Sequence, residues 1–166
     1  MGNLKVVGIG EWLVSNNQED LIRTYALGSC VALVVQHLPT RTSGLVHIAL
    51  PDSFRLAPGT VREEGYYADT AVPMLLEEIR QKTGLYSAIT IGMIAKLAGG
   101  AQMMRMKNNY HIGERIVQKI LTLLQRYQVP VAAMDVGGEL SRTVTVAVGR
   151  GEMFVASPGK KERLLK

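Results

Sequence analysis

The chain has 166 residues, of which 47% are hydrophobic and 20% charged, and a formal net charge of +5. That length and balance predict one globular domain with a core of its own, not a disordered chain. The single cysteine rules out an internal disulfide. No apolar stretch reaches the ~20 residues of a membrane helix, and the N-terminus lacks the basic-then-apolar order of a secretory signal. A cytoplasmic protein without membrane insertion is expected.

The positive charge is unevenly placed. Four basic residues crowd into the last seven positions, and elsewhere Lys and Arg are mixed with acids. This predicts a solvated surface with a disordered basic tail over residues 159–166, following a single domain over 1–158. With only two Phe and one Trp, a base-stacking platform is not expected, and no nucleic-acid partner is assigned.

In chain order, "LKVVGIGEWLVS" and "DLIRTYAL" read as strands separated by "NNQED". "CVALVVQ" is apolar throughout, as in a strand covered on both faces. "HLPTRTSG" is a turn, and "LVHIALP" the return strand, stopped by Pro51; the two strands are expected to form an antiparallel hairpin. "SFRLAPGTVREEGYYA" reads as a long loop outside the core. Asp69 is the expected N-cap of a helix through "TAVPMLLEEIRQKT", with Pro73 in its first turn, Val72, Leu75, Leu76 and Ile79 on its buried face, and Gly84 ending it. "YSAITIGMIAKLA" reads as a strand on the alternation of Ile89, Ile91 and Met93. A loop, "GGAQMMRMKNNYHIG", precedes a helix from about Glu114 to Tyr127, with Ile116, Val117, Ile120, Leu121, Leu124 and Tyr127 buried. "VAAM" is a short strand, "DVGGELS" a loop, and "RTVTVAVGRGEMFVAS" a hairpin turning at "GRG". The sum is an α+β fold with helices laid against sheet.

Three residues stand out chemically. Cys30 ends the turn "LGSC" just before an apolar strand, where a substrate can reach it. Gly28 is expected to let the backbone turn sharply, and the amides from Gly28 through Ser29 to Cys30 to stabilise an oxyanion. His47 interrupts "GLVHIAL" and returns beside Cys30 on the hairpin. A histidine there supplies the base a thiol nucleophile needs, and the pairing is expected to lower the thiol pKa. Thr24 is a candidate to orient the imidazole through its hydroxyl. The register is not readable, because "VALVV" has no alternation. Each residue also has a structural reading: a buried small thiol, a hydrogen-bonded strand histidine, an ordinary strand threonine. His37 and His111 have no companion at metal-ligand spacing, so no metal is assigned. Asp135 is expected to cap its own loop, and the glycine pairs "LAGGA" and "DVGG" lack the context of a phosphate cradle.

These stretches resemble the CheD family of chemoreceptor glutamine deamidases. The resemblance rests on a threonine followed by "LGSCV", on "GL.H..LP" from Gly44 to Pro51, "AKLAGGA.M" from Ala95 to Met103, "IGER" from Ile112 to Arg115, and "DVGG...R" from Asp135 to Arg142. It departs from the family pattern at Ala26 and Ser141, where glycines are usual, at Ala49, where methionine is usual, and at Ile116, where asparagine is common. The resemblance implies Cys30 as nucleophile with His47 and Thr24, no cofactor, and a sandwich of mixed or antiparallel sheets flanked by helices, akin to cysteine-dependent deamidating toxins. It implies glutamines on chemoreceptor cytoplasmic helices as substrate and the CheC phosphatase as partner. The alternatives are a weakly catalytic binding partner of CheC or receptors, and a small-molecule cysteine or zinc hydrolase.

Overall fold

The computed structural model describes residues 2–54, 62–85, 90–103 and 111–166. The chain runs through β1 (Asn3–Val6), β2 (Trp12–Ser15), β3 (Asp20–Leu27), β4 (Val31–His37), β5 (Thr42–Ile48), α1 (Ala68–Thr83), β6 (Met93–Gly99), α2 (Ile112–Arg126), β7 (Val131–Val136), β8 (Arg142–Ala147), β9 (Glu152–Ser157) and β10 (Lys160–Leu164). One sheet has the order β2–β5–β4–β6–β7, the other β1–β3–β8–β9–β10. Each is antiparallel except for one pair, β6–β7 and β1–β3 respectively.

The continuous apolar run of β4 explains the layering. Val31, Leu33 and Val35 face one core, shared with Leu75 and Ile79 of α1 and Ile116 and Ile120 of α2. Ala32 and Val34 face a second core, shared with Ile22, Val144, Val146 and Met153 of the other sheet. A strand covered on both faces needs no polar positions, so its sequence does not alternate. The layers are therefore helices, sheet, sheet. Both helices lie on the same outer face of the β4 sheet, not one on each side of the sandwich.

The expected hairpin forms, with Val31 opposite Ile48 and Ala32 opposite His47. Other expectations need correction. The N-terminal run is two strands in different sheets, broken at Gly8–Gly10, where Glu11 accepts from the Gly8 amide at 2.7 Å. Helix α1 starts at Ala68, and its Asp69 is inside the first turn instead of capping it. The first amides are held by chain carbonyls, Ala68 N–H to Leu50 and Asp69 N–H to Pro51. Asp69 instead accepts from the Ser53 amide and hydroxyl. Pro73 falls in the second turn, where the bond to the Asp69 carbonyl is forgone. Gly84 does end the helix, at φ 73°.

β6 begins only at Met93. Ile91 is 77% exposed in the turn before it, and Ile89 lies outside the described residues. In α2, which starts at Ile112, Leu123 takes the buried place expected of Tyr127. The segment after His47 reaches the core at Tyr67 and Ala68, both buried. The C-terminal residues expected to be a disordered tail form β10 on the edge of the second sheet. Leu165 beyond it is 4% exposed, and its amide donates to the Met153 carbonyl at 2.8 Å. The four charged residues Lys160 to Arg163 are all exposed, and the strand is anchored at its far end by Leu164 and Leu165.

Candidate active site

Three strands bring the candidate residues together. His47 sits in β5 directly opposite Ala32, and Ala32 faces the core between the sheets. Cys30 precedes Ala32 by two positions, so it shares that face and is a diagonal neighbour of His47. Accordingly Cys30 packs, partly buried, against the inter-sheet core. Thr24 comes across from β3 in the other sheet, fully buried.

The contact that organises the site is Thr24 Oγ1 to His47 Nδ1, at 2.7 Å. The Thr24 hydroxyl has one proton, and it donates that proton to the Val7 carbonyl at 2.7 Å. Proton counting then requires His47 Nδ1–H to be the donor to Thr24. The imidazole lone pair is therefore on Nε2. Nε2 is buried and has no hydrogen-bond partner among the described residues. The backbone of His47 is held as well, its amide by Glu11 and its carbonyl by the Gly10 amide.

Burial lowers the His47 pKa to about 4. Burial also pushes the Cys30 thiol up, against the smaller opposing effect of its own backbone amide. This corrects the expected lowering of the thiol pKa. Desolvation penalises both charged forms, so the pair rests as neutral thiol and neutral imidazole.

The turn into Cys30 also differs from expectation. The left-handed residue is Ala26, at φ 54°, within an irregularity of the β3–β8 register between Thr24 and Leu27. Gly28 does not adopt positive φ; a Cβ there would lie 3.1 Å from Met103 Cγ. The glycine that matters most to Cys30 is Gly99, at φ 119°, where a Cβ would stand 2.3 Å from the Cys30 carbonyl oxygen. Gly100 and Gly113 then let the first turn of α2 rest directly on the end of β6, a Cβ at Gly113 meeting the Gly100 carbonyl oxygen at 2.5 Å. The "AGGA" and "IGER" stretches are thus two sides of one backbone contact.

Beside Ser29 opens a cleft of about 480 Å³, walled by Gln102, His111, Glu114, Gln118 and Gly138. His111 is exposed, 3.8 Å from Glu114, and His37 is buried elsewhere, 2.7 Å from Thr40. Among the described residues no three His, Cys, Asp or Glu side chains converge on a point.

Sequence reasoning missed the group behind the cleft. Asp135 does not cap its loop; it pairs with Arg142 at 3.3 Å and with Arg163 of β10 at 2.6 Å. The signal for the first pair was the "DVGG...R" spacing; nothing local pointed to the second.

A sequence model of a known family, described as "CheD chemotactic sensory transduction", matches residues 49–157. A protein of Syntrophotalea carbinolica named probable chemoreceptor glutamine deamidase CheD is 36% identical over 155 residues, 93% of this chain and 94% of its own. The chain belongs to the CheD family. The chemoreceptor glutamine deamidase CheD of Thermotoga maritima is 35% identical over 160 residues, 96% of each chain. A probable CheD of Archaeoglobus fulgidus is 35% identical over 157 residues, 93% of this chain and 94% of its own. The departures from the usual CheD pattern have local explanations at two positions. Ala26 occupies a left-handed conformation that glycine adopts without strain, and Ile116 is fully buried in the helix-facing core. No helix among the described residues is long and apolar enough to cross a membrane.

Proposed function

We propose that this chain hydrolyses glutamine side-chain amides on chemoreceptors to glutamate and ammonia, with Cys30 as nucleophile, His47 as general base and Thr24 orienting it. The observation that carries this reading is the buried Thr24–His47 contact, which leaves an unpartnered Nε2 on the face that Cys30 shares. The names of the relatives supply the substrate class.

The mechanism follows from the neutral resting pair. As the Cys30 sulfur attacks the amide carbon, its proton passes to His47 Nε2. A thiol held above its ordinary pKa needs that base, because free thiolate is scarce. The imidazolium so formed is stabilised at Nδ1–H by Thr24, and Nε2–H protonates the leaving nitrogen as the C–N bond breaks. Ammonia departs and a thioester remains. Water then attacks the thioester, giving its proton to Nε2, and the C–S bond breaks to release glutamate and restore the Cys30 thiol. Amides of Gly28 to Cys30 would hold the oxyanion. The reaction calls on no metal or redox group. A cytoplasmic setting, the CheC phosphatase as partner and a kinship of the fold with deamidating toxins belong to the same proposal.

Mass spectrometry of a purified chemoreceptor cytoplasmic fragment tests the reading. Incubation with the protein should add roughly one mass unit at specific glutamines, the difference between amide and acid. No gain at any glutamine would defeat it.

A further inference from the structure

We propose that Arg142 is a positioning residue for Cys30, acting through the single peptide group between Gly99 and Gly100; as a role in catalysis this rests on the reading of Cys30 given above. The two ends of that peptide do different things. Its N–H, on Gly100, donates to the Cys30 carbonyl at 2.8 Å. Its C=O, on Gly99, accepts from Arg142 Nη1 at 3.2 Å and from the Gly137 amide at 2.9 Å. A planar trans peptide points its two ends in opposite directions, so fixing the oxygen aims the hydrogen.

The peptide needs such a hold. It lies between two glycines at positive φ, 119° and 67°. Without side chains on either flank, no Cβ helps to fix its orientation, which rests on its hydrogen bonds. Rotation would withdraw the hydrogen bond from the Cys30 carbonyl and release the residue whose sulfur must meet His47 Nε2. Two backbone bonds hold the peptide, Gly100 N–H to Cys30 and Gly137 N–H to Gly99, and Arg142 adds a charged side-chain donor to the Gly99 oxygen.

Arg142 is built for that task. It is 7% exposed. Nη1 also donates to the Leu140 carbonyl at 3.3 Å, and Nη2 to Asp135 Oδ1 at 3.3 Å. The other Asp135 oxygen is held by Arg163, so β10 secures the carboxylate that orients the guanidinium. A charged donor on the Gly99 oxygen also polarises the peptide and strengthens the Gly100 N–H as a donor.

The test uses the full chain carrying Arg142→Gln and reads amide hydrogen exchange by NMR alongside deamidation of a chemoreceptor cytoplasmic fragment. Exchange at the Gly100 amide should rise at least about tenfold while the amides of β4 keep their protection, a local change that general destabilisation does not produce. The kcat should fall by about 10²-fold, the scale of a small misplacement of a reacting group, with KM within about twofold. Arg142→Lys should recover part of both, because one ammonium cannot span Gly99, Leu140 and Asp135 together. If Arg142→Gln does not fold, Asp135→Asn should move both readouts the same way by less. Unchanged Gly100 exchange, or exchange that rises in step with β4, would overturn the proposal. If the wild-type chain deamidates nothing, the functional reading fails, while the Gly100 exchange still decides whether Arg142 holds the peptide.

Discussion

Cys30 is a modest contributor to packing and, on the proposed mechanism, indispensable to chemistry. Cys30→Ser should abolish deamidation while shifting stability by less than about 1 kcal/mol, because the replaced atom is partly exposed and similar in size; mass spectrometry and calorimetry on the same sample check both halves. His47 makes a prediction with a definite sign. Its folded pKa, about 4, lies below the ordinary value of 6.5. The unfolded chain therefore binds the extra proton first as pH falls, and the folded state loses stability across the window from about 6.5 down to 4. Above 6.5 the residue is neutral in both states and the full stability is present. The urea midpoint should fall through that window, and the fall should be smaller in His47→Gln; equal slopes in the two proteins would contradict the assigned burial effect. Ala26 is the third residue to probe. An alanine in the left-handed region is strained by about 1–2 kcal/mol relative to glycine, partly offset by the extra freedom glycine has when unfolded. Ala26→Gly should stabilise the chain by about 0.5–1 kcal/mol, read as a higher unfolding midpoint.

At the level of elements, β10 separates two accounts of the C-terminus. A solvated tail would tolerate any change, whereas an edge strand with a buried anchor would not. Leu165→Ala should cost about 2–5 kcal/mol, the usual range for a leucine removed from a core, and urea unfolding reads it directly. The lysines of the strand serve another purpose: charged residues on an edge discourage pairing with other chains. β6 shows how tightly the site is fitted to its elements. Gly99→Ala would place a methyl 2.3 Å from the Cys30 oxygen at a φ that side chains avoid, so β6 must shift or unpair. That substitution should lower stability by more than about 2 kcal/mol.

Across the whole molecule, the candidate site is a seam. Cys30 and His47 belong to one sheet and Thr24 to the other, and the bond between His47 and Thr24 crosses the inter-sheet core. The arrangement is therefore only as precise as the packing of Val144, Val146 and Met153 against Ala32 and Val34. Substitutions there should lower kcat before they unfold the chain. The net charge of +5 also acts at this scale. If the receptor surface is acidic, encounter is accelerated at low ionic strength, so kcat/KM should decrease as salt is added. A rate independent of salt from low to physiological strength would remove charge steering from the mechanism.

Much of this architecture was legible in the chain itself. Helical periodicity placed Leu75 and Ile79, Ile116 and Ile120 on buried faces, and Gly84 marked the end of α1, because these signals are local. The motif order around Cys30, His47 and Thr24 was enough to reach the CheD family. The register of Cys30 against His47 was not legible, because β4 is apolar on both faces and carries no phase. The same absence hid the layering, with both helices on one side. Arg163 looked like part of a solvated tail, since its partner Asp135 is distant in sequence and close only after two sheets have folded together. The Cys30 thiol was expected to be acidic from the identity of its neighbour, yet it is pushed up by burial. Residue type announces which groups can exchange a proton; how much water surrounds them, and therefore which charge state they hold, is a property of the assembled layers.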